Sequence, residues 1–319
     1  MSSVSILIPV YNRKKIIAET IESALAQTFK NFEVVVVDNA SEDGTWEVLQ
    51  DIAKKDSRIR IFKNDNNIGP VRNWKRCVDE ATGEYGKILW SDDLISTEFL
   101  EKTVPFLDDN EDVGFVFTGT EIFMEGGGAS KAVYFIGESG VRSTNEYIRG
   151  VVKGGGYPVS PGCALFRLKD IHHNLLIDIP NKVGSDFSMH AIGNDLLLFL
   201  LTAQRYRKFA YVNEKLSFFR EHSGSISTKS KNGKLPLHYD LSISYFLESH
   251  RPDLITIFNS KLFLDLKRYP ESRKFGLSSV SDFYNSNRNY HISYSELAKC
   301  VFNYFVKIVL RVIKRSRRG

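Results

Sequence analysis

The sequence predicts an α/β fold, a mostly parallel sheet flanked by helices, followed by a helical C-terminal extension. Three observations carry this. Apolar, strand-like runs alternate with helix-like stretches four times between Ser5 and Trp90, the pattern of right-handed β-α-β crossovers. The second run, Phe32-Glu33-Val34-Val35-Val36-Val37, is rich in β-branched residues, as strands covered on both faces are. Two of the runs end in acid, at Asp38 and at Asp92-Asp93.

In order, Ser5 to Val10 reads as a buried strand running into Tyr11-Asn12. Ile16, Ile17, Thr20, Ile21, Ala24 and Leu25 recur at helical spacing. After the strand Phe32–Val37, the turn Asp38 to Gly44 is dense in capping residues and opens a helix through Trp46, Val48, Leu49 and Ile52. Ile59 to Phe62 is a third strand, Asn64 to Pro70 a loop, Asn73 to Ala81 a helix and Tyr85 to Trp90 a fourth strand. The pattern then loosens. Val113–Thr118 and Ala164–Phe166 read as strands, Leu196–Leu201 as a helix, and Tyr211-Val212 with Leu216–Arg220 as a strand pair. Gly126–Gly128 and Gly154–Gly156 mark connections. Near residue 229 the composition shifts toward basic and helical, so residues 1–228 are expected to form one domain and 229–319 an extension.

Composition narrows the class. The chain has 319 residues, of which 42% are hydrophobic and 25% charged, enough for a large core. Much of its net charge of +5 lies in Lys314-Arg315-Ser316-Arg317-Arg318, so no nucleic-acid partner is expected from the global value. Cys77, Cys163 and Cys300 are far apart and match no metal or disulfide spacing, which suggests a reducing compartment. A strand starts at once from Val4, with no charged region leading into an apolar one, so no secretory signal is expected. No GxGxxG follows the first strand, and no GxxxxGK[ST], HExxH or GxSxG occurs. Dehydrogenase, P-loop, metalloprotease and esterase readings are therefore weak.

A carboxylate at the tip of a buried parallel strand is costly without a partner, and ligands of open α/β sheets bind at that edge. Two acidic tips in one small domain suggest a site for a nucleotide and a hard metal ion. Asp38 can accept hydrogen bonds from a base or from ribose hydroxyls. Asn39, Ser41 and Asp43 suit the turn and the helix start.

Six segments, in order, carry a resemblance. They are Ile8-Pro9-Val10-Tyr11-Asn12-Arg13, Val37 to Thr45, Asn67 to Asn73, Gly83-Glu84-Tyr85 leading to Ser91-Asp92-Asp93, Gly193-Asn194-Asp195, and Phe219 to Ser225. Together they resemble the family 2 inverting glycosyltransferases of the GT-A fold, over roughly residues 4 to 228. The resemblance implies a nucleotide-sugar donor, a UDP-sugar being favoured, with Pro9, Tyr11, Asn12, Asp38, Asn67, Arg72 and Asp92 on the donor side. It implies that Asp93 binds Mn²⁺ or Mg²⁺, with His222 reaching the metal or the diphosphate. It implies Asp195 as catalytic base, with Asp186 as the rival. Asn194 stands where the family often has Glu. The acceptor, an oligosaccharide or lipid-linked glycan, would meet residues 120 to 190, Ser160-Pro161-Gly162 among them. By analogy the setting is bacterial surface-polysaccharide assembly, such as O-antigen or capsule. The rivals are a sugar nucleotidyltransferase and a non-catalytic binding module.

From Leu297 to Ile313 the chain is apolar but interrupted by Lys299, Asn303, Lys307 and Arg311, which form one stripe on a helix. Each central cation disfavours a transmembrane span. A helix lying on the inner face of the cell membrane, its basic stripe on anionic headgroups, is the expectation. The enzyme would then be cytoplasmic and peripheral.

Overall fold

The computed structural model describes residues 3–222, 225, 228, 230, 232–286, 290–299 and 301–302. The chain divides into two compact units, residues 1–179 with 186–230, and residues 180–185 with 231–319. Residues 180–185 belong with the second because Asn285 donates to the carbonyl of Pro180 (2.9 Å) and Lys182 to that of Ser286 (2.8 Å), bonds between segments over a hundred residues apart.

In the first unit the alternation produces β1 (Val4–Val10), α1 (Ile17–Leu25), β2 (Phe32–Asp38), α2 (Thr45–Ala53), β3 (Ile59–Lys63), α3 (Pro70–Glu80) and β4 (Tyr85–Ile88). There follow β5 (Leu94–Ile95), α4 (Phe99–Asp108), β6 (Val113–Met124), β7 (Lys131–Val133), β8 (Gly140–Ser143), α5 (Thr144–Val152), β9 (Ala164–Arg167), α6 (Leu168–Asn174), α7 (Phe187–His190), α8 (Asn194–Arg205) and β10 (Lys208–Glu221). One sheet runs β3-β2-β1-β4-β9-β6-β10-β5, with β7 on β6 and β8 on β10. The strands β3, β2, β1 and β4 are parallel, as are β6 and β10, whereas β9 is antiparallel to both β4 and β6 and β5 is antiparallel to β10. The sheet is thus mixed. β8 and β9, joined by α5, run in the same sense, and both oppose β6 and β10.

Side chains alternate across each strand. Ile6, Ile8 and Val10 with Val34 and Val36 bury one face against Ile17 and Ile21 of α1, Leu49 of α2 and Leu100 and Val104 of α4. On the other side of the sheet, Asn73 of α3 donates to the carbonyl of Val37 (3.1 Å). A ring cluster, Phe115, Phe166, Phe199, Phe209 and Tyr147, joins β6, β9 and β10 to α5 and α8.

Pro9 lies inside a central strand, where a missing N–H is normally excluded. Leu7, which faces β4, is the last β1 residue bonded there: its carbonyl accepts from Leu89 (2.9 Å). Pro9, two residues on, faces the same side, where pairing has already ended.

Two elements differ from the sequence reading. The expected pair Tyr211-Val212 and Leu216–Arg220 is one strand, β10, carried through Asn213–Lys215 by register shifts against β6. The fourth strand stops at Ile88, and Asp93 N–H closes a turn on the carbonyl of Trp90 (3.0 Å).

In the second unit, the helices Lys234–His250 and Ile255–Arg268 pack together around Lys261, which bonds Asp240 and Asp265. Tyr284 adds a buried bond to Asn259 (2.7 Å). Of the expected basic stripe, Lys299 pairs with Glu296 (2.6 Å). Asn303, Lys307, Arg311 and residues 314–318 lie outside the described residues. Among the described residues no helix is long and apolar enough to cross a membrane.

Candidate active site

The loops after β1 and β2 are laced together. Asn12 adopts the left-handed region (φ 52°), donates its N–H to Ser41 Oγ (2.8 Å) and accepts the Glu42 N–H at Oδ1 (3.0 Å). Arg13 N–H donates to Thr45 Oγ1 (2.9 Å), and Lys14 N–H to Asp43 (3.0 Å). Asp38 is fully buried at the tip of β2, and its carboxylate accepts the backbone N–H (3.2–3.3 Å) and the hydroxyl of Ser41. Tyr11, 40% exposed, stands open beside this frame. Asn12 and Asp38 are thereby held in place by the turn itself.

The loop before α3 hangs on four asparagines. Asn64 donates to Asn39 Oδ1 (3.0 Å) and to Asn73 Oδ1 (2.9 Å), and Asn39 donates to Asn67 Oδ1 (2.9 Å). Asn67 also accepts the Gly69 N–H (3.0 Å). Its side-chain oxygen is thus engaged within the protein, and the residue is exposed, so the donor contact that the resemblance implies would fall to the rest of the side chain or the backbone. Arg72 lies on the first turn of α3 and donates to Ser188 Oγ (2.8 Å), which in turn donates to Asp186 (2.6 Å). It fastens the segment preceding α8.

Past β4 the two carboxylates diverge. Asp93 is buried and accepts the Arg220 N–H at Oδ1 (2.9 Å). Burial, then the neighbouring charge of Asp92, pushes its carboxyl well above the usual range. Asp92 is the more open of the two. Its Oδ2 lies 2.8 Å from His222 Nε2 and 3.7 Å from an Arg13 guanidinium nitrogen. Arg220 donates Nε to the Asp92 carbonyl (2.9 Å) and Nη2 to Glu19 (2.6 Å), so it braces the tip from β10. Arg13 was not singled out from the sequence; its place two residues after Tyr11 was the available signal.

Among the described residues, no cluster of three or more His, Cys, Asp or Glu side chains could hold a metal alone. The resemblance implied Asp93 as metal ligand beside His222; Asp93 is buried and engaged by the Arg220 N–H, and Asp92, next to His222, is the more open oxygen donor for a cation that takes its remaining ligands from water and a diphosphate, as Mg²⁺ and Mn²⁺ at nucleotide sites do.

Asp195 is the second residue of α8. Its Oδ1 caps the helix, accepting from Gly193 N–H (3.0 Å) and Leu196 N–H (2.9 Å). Asn194 donates its amide to the carbonyls of both Leu176 and Ile177 (3.0 Å each), bonds that a carboxylate could not donate. Asp186 is exposed. The Ser188 hydroxyl, with the N–H groups of Met189 and Ser188 and the charge of Arg72, holds its carboxyl below the usual range, which disfavours it as a base.

A buried cation also escaped the sequence reading. Lys87, in the middle of β4, is completely buried, and burial pulls its ammonium down to about 7. A lone Lys inside the apolar run Tyr85–Trp90 was its only trace.

This mixed sheet, with acidic residues at the carboxyl end of β2 and just past β4, is the GT-A fold of glycosyltransferases. The chain belongs to glycosyl transferase family 2, whose sequence profile matches residues 5–175. It is 37% identical to the putative glycosyltransferase EpsE of Bacillus subtilis, over 39% of this chain and 45% of that one. It is 33% identical to the putative teichuronic acid biosynthesis glycosyltransferase TuaG of the same organism, over 39% of this chain and 49% of that one. The chain thus spans less than half the length of these relatives. Among solved structures, S. aureus TarS 1–349 in complex with UDP-GlcNAc aligns with a TM-score of 0.57 at 17% identity, over 88% of this chain and 84% of that one. The Pyrobaculum calidifontis mannosyltransferase PcManGT, in complex with GDP-Man and Mn²⁺, aligns with a TM-score of 0.52 at 18% identity, over 86% and 73%. At these identities the structural likeness shows the fold.

Proposed function

We propose that this protein is a metal-dependent, inverting glycosyltransferase that moves a sugar from a nucleoside-diphosphate donor, a UDP-sugar by preference, to a glycan acceptor. The observation that carries this is the meeting of Asp92, His222 and Arg13 at the open end of β4. One carboxylate, one imidazole and one guanidinium converge where a diphosphate with a divalent ion would bind. Mn²⁺ or Mg²⁺ held by Asp92 and His222 would neutralise the leaving diphosphate. Tyr11 and Pro9 would flank the base, with Asp38 reading it. Arg13, Asn12 and Arg72 complete the donor side as side chain, frame and fastening.

Asp195 would accept the proton of the acceptor hydroxyl as that oxygen attacks the anomeric carbon opposite the leaving group. The new C–O bond forms as the bond to the diphosphate oxygen breaks, and the configuration inverts. The UDP-GlcNAc complex of TarS supports the donor class, and the relatives TuaG and EpsE support a glycan acceptor in surface-polysaccharide assembly. A lipid-linked acceptor fits a basic C-terminal helix on the membrane. Tyr294, 85% exposed, Phe302, 68% exposed, and Val301, 40% exposed, are among the described apolar residues near the start of that segment.

The test is thermal stabilisation by a panel of nucleoside diphosphates with and without Mn²⁺, joined to hydrolysis of the matching nucleotide-sugar. Metal-enhanced stabilisation by one diphosphate, with hydrolysis lost in Asp195→Asn, is the expected result. No response to any nucleotide would favour a non-catalytic module.

A further inference from the structure

We propose that Lys87 is a positioning residue of the transfer reaction, its ammonium setting the Ser160–Cys163 turn as the acceptor-side floor beside Asp92. The proposal rests on the transferase reading above.

A cation in the middle of a central strand needs a reason. Among the described residues Lys87 makes no ion pair. Its partners are the carbonyls of Ile88 (3.1 Å) and Gly162, with the Phe99 ring 4.6 Å away. The charge of Asp93 acts on this ammonium, yet no carboxylate among the described residues lies within ion-pair reach, and an apolar side chain of similar length would fill the space without the cost of removing a charge from water. Asp93 acts on the ammonium only from beyond ion-pair reach, whereas the Gly162 carbonyl is in direct contact with it.

The turn that Lys87 holds is pinned from every side. Trp90 donates Nε1 to Ser160 Oγ (2.9 Å). Gly162 packs so closely that an added Cβ would lie 3.0 Å from the Trp90 ring and 3.1 Å from Phe219. Tyr147 donates its hydroxyl to the Pro158 carbonyl (2.7 Å). The buried hydroxyl of Tyr134 reaches backbone groups of Val159 and Ser160 and feels the charge of Asp195. Trp90 lies two residues before Asp92, and Phe219 adjoins Arg220, whose N–H binds Asp93. The turn is thus fastened on one side to the proposed metal-binding tip and on the other to a tyrosine near the proposed base. Val159 and Ser160 remain partly exposed, available to a hydroxyl-rich ring.

Lys87→Met keeps the length and removes the donors. The expected result is an unchanged melting temperature or a higher one, and a Kd for UDP with Mn²⁺ within about twofold of wild type. Hydrogen exchange should rise about tenfold or more at the Gly162 to Ala164 amides, with the β1–β3 amides unchanged. For the nucleotide-sugar that the wild type hydrolyses, kcat should fall about tenfold with KM held. Unchanged exchange and unchanged kcat would overturn the proposal, as would equal losses of UDP affinity and melting temperature. Should Lys87→Met not fold, Ser160→Ala, which removes the Trp90 bond and the longer bond from the Gly162 N–H (3.4 Å), carries the kcat and UDP readouts, with exchange read at Cys163 and Ala164 and with the same results for and against. A wild type that neither binds UDP nor hydrolyses any nucleotide-sugar would instead sink the transferase reading, while the exchange result would still report on the turn.

Discussion

His222 Nε2 lies 2.8 Å from Asp92 Oδ2, although the two residues are 130 positions apart in the chain. The contact exists because β10 brings Arg220 N–H onto Asp93 and so lays His222 over its neighbour. It separates the roles of two adjacent aspartates and makes them distinguishable by experiment.

Asp92→Asn and His222→Ala are each expected to weaken the Mn²⁺-dependent part of UDP binding by at least about tenfold, the lower end of what even outer partners of metal ligands contribute. Asp93→Asn is expected to retain it, since an amide oxygen can still accept the Arg220 N–H and a neutral group suits the burial. Asp93→Ala should lower stability by about 1–3 kcal/mol, the cost of an unsatisfied buried donor. Calorimetric titration with UDP, with and without Mn²⁺, reads the first pair, and thermal melting the second. Loss of the metal response in Asp93→Asn alone would reverse the assignment.

Acid should expose Glu33. Burial raises its carboxyl, but hydrogen bonds from Ser5, Arg60 and Thr82 outweigh that and leave it below the ordinary 4.5. A depressed folded value means that the native state holds fewer protons than the unfolded chain. The contribution is therefore complete above about pH 4.5 and disappears as pH falls through the folded value. Glu33→Gln should cost about 1–3 kcal/mol at pH 7 and flatten this part of the acid slope, as urea melts between pH 3 and 7 would show.

Gly69 adopts φ +86°, and an added Cβ would meet Met189 Sδ at 2.8 Å. Gly69→Ala is expected to lose about 1–3 kcal/mol, because φ 86° with ψ 160° is a positive-φ region that only glycine adopts without strain. It should also displace Met189 and loosen the Arg72–Ser188 contact, so increased amide exchange around Phe187–His190 should accompany the fall in melting temperature.

Asn194→Asp removes both donors to the Leu176 and Ile177 carbonyls and places a buried carboxylate against them. A loss of about 3–5 kcal/mol is expected, as for other uncompensated buried charges. A melting temperature equal to wild type would show that this segment is held by other means.

Much of the first four strands and three helices was legible because their signals are local. The β-branched run of β2, the capping residues after Asp38 and the apolar spacing of α1 each lie within one short window. The later strands were less so. β9 and β5 carry no mark of their direction, and β10 reads as two pieces because Asn213, Glu214 and Lys215 interrupt its apolar run. In the candidate site the acidic tips were visible, but not their division of labour. Asn67 looks like any polar loop residue until its oxygen is seen to accept from Asn39 and Gly69, and the bond from Arg72 to Ser188, 116 positions away, has no trace in the chain.

By itself the sequence determined the α/β alternation, the acidic strand ends and membership in a glycosyltransferase family, all written in periodicity and ordered short motifs. The tertiary structure alone decided that Asp92 is presented while Asp93 is buried, that His222 and Arg13 meet there, and that Lys87 reaches Gly162. Those outcomes depend on strand order and on which groups are removed from water, and neither is encoded in any one window of the chain.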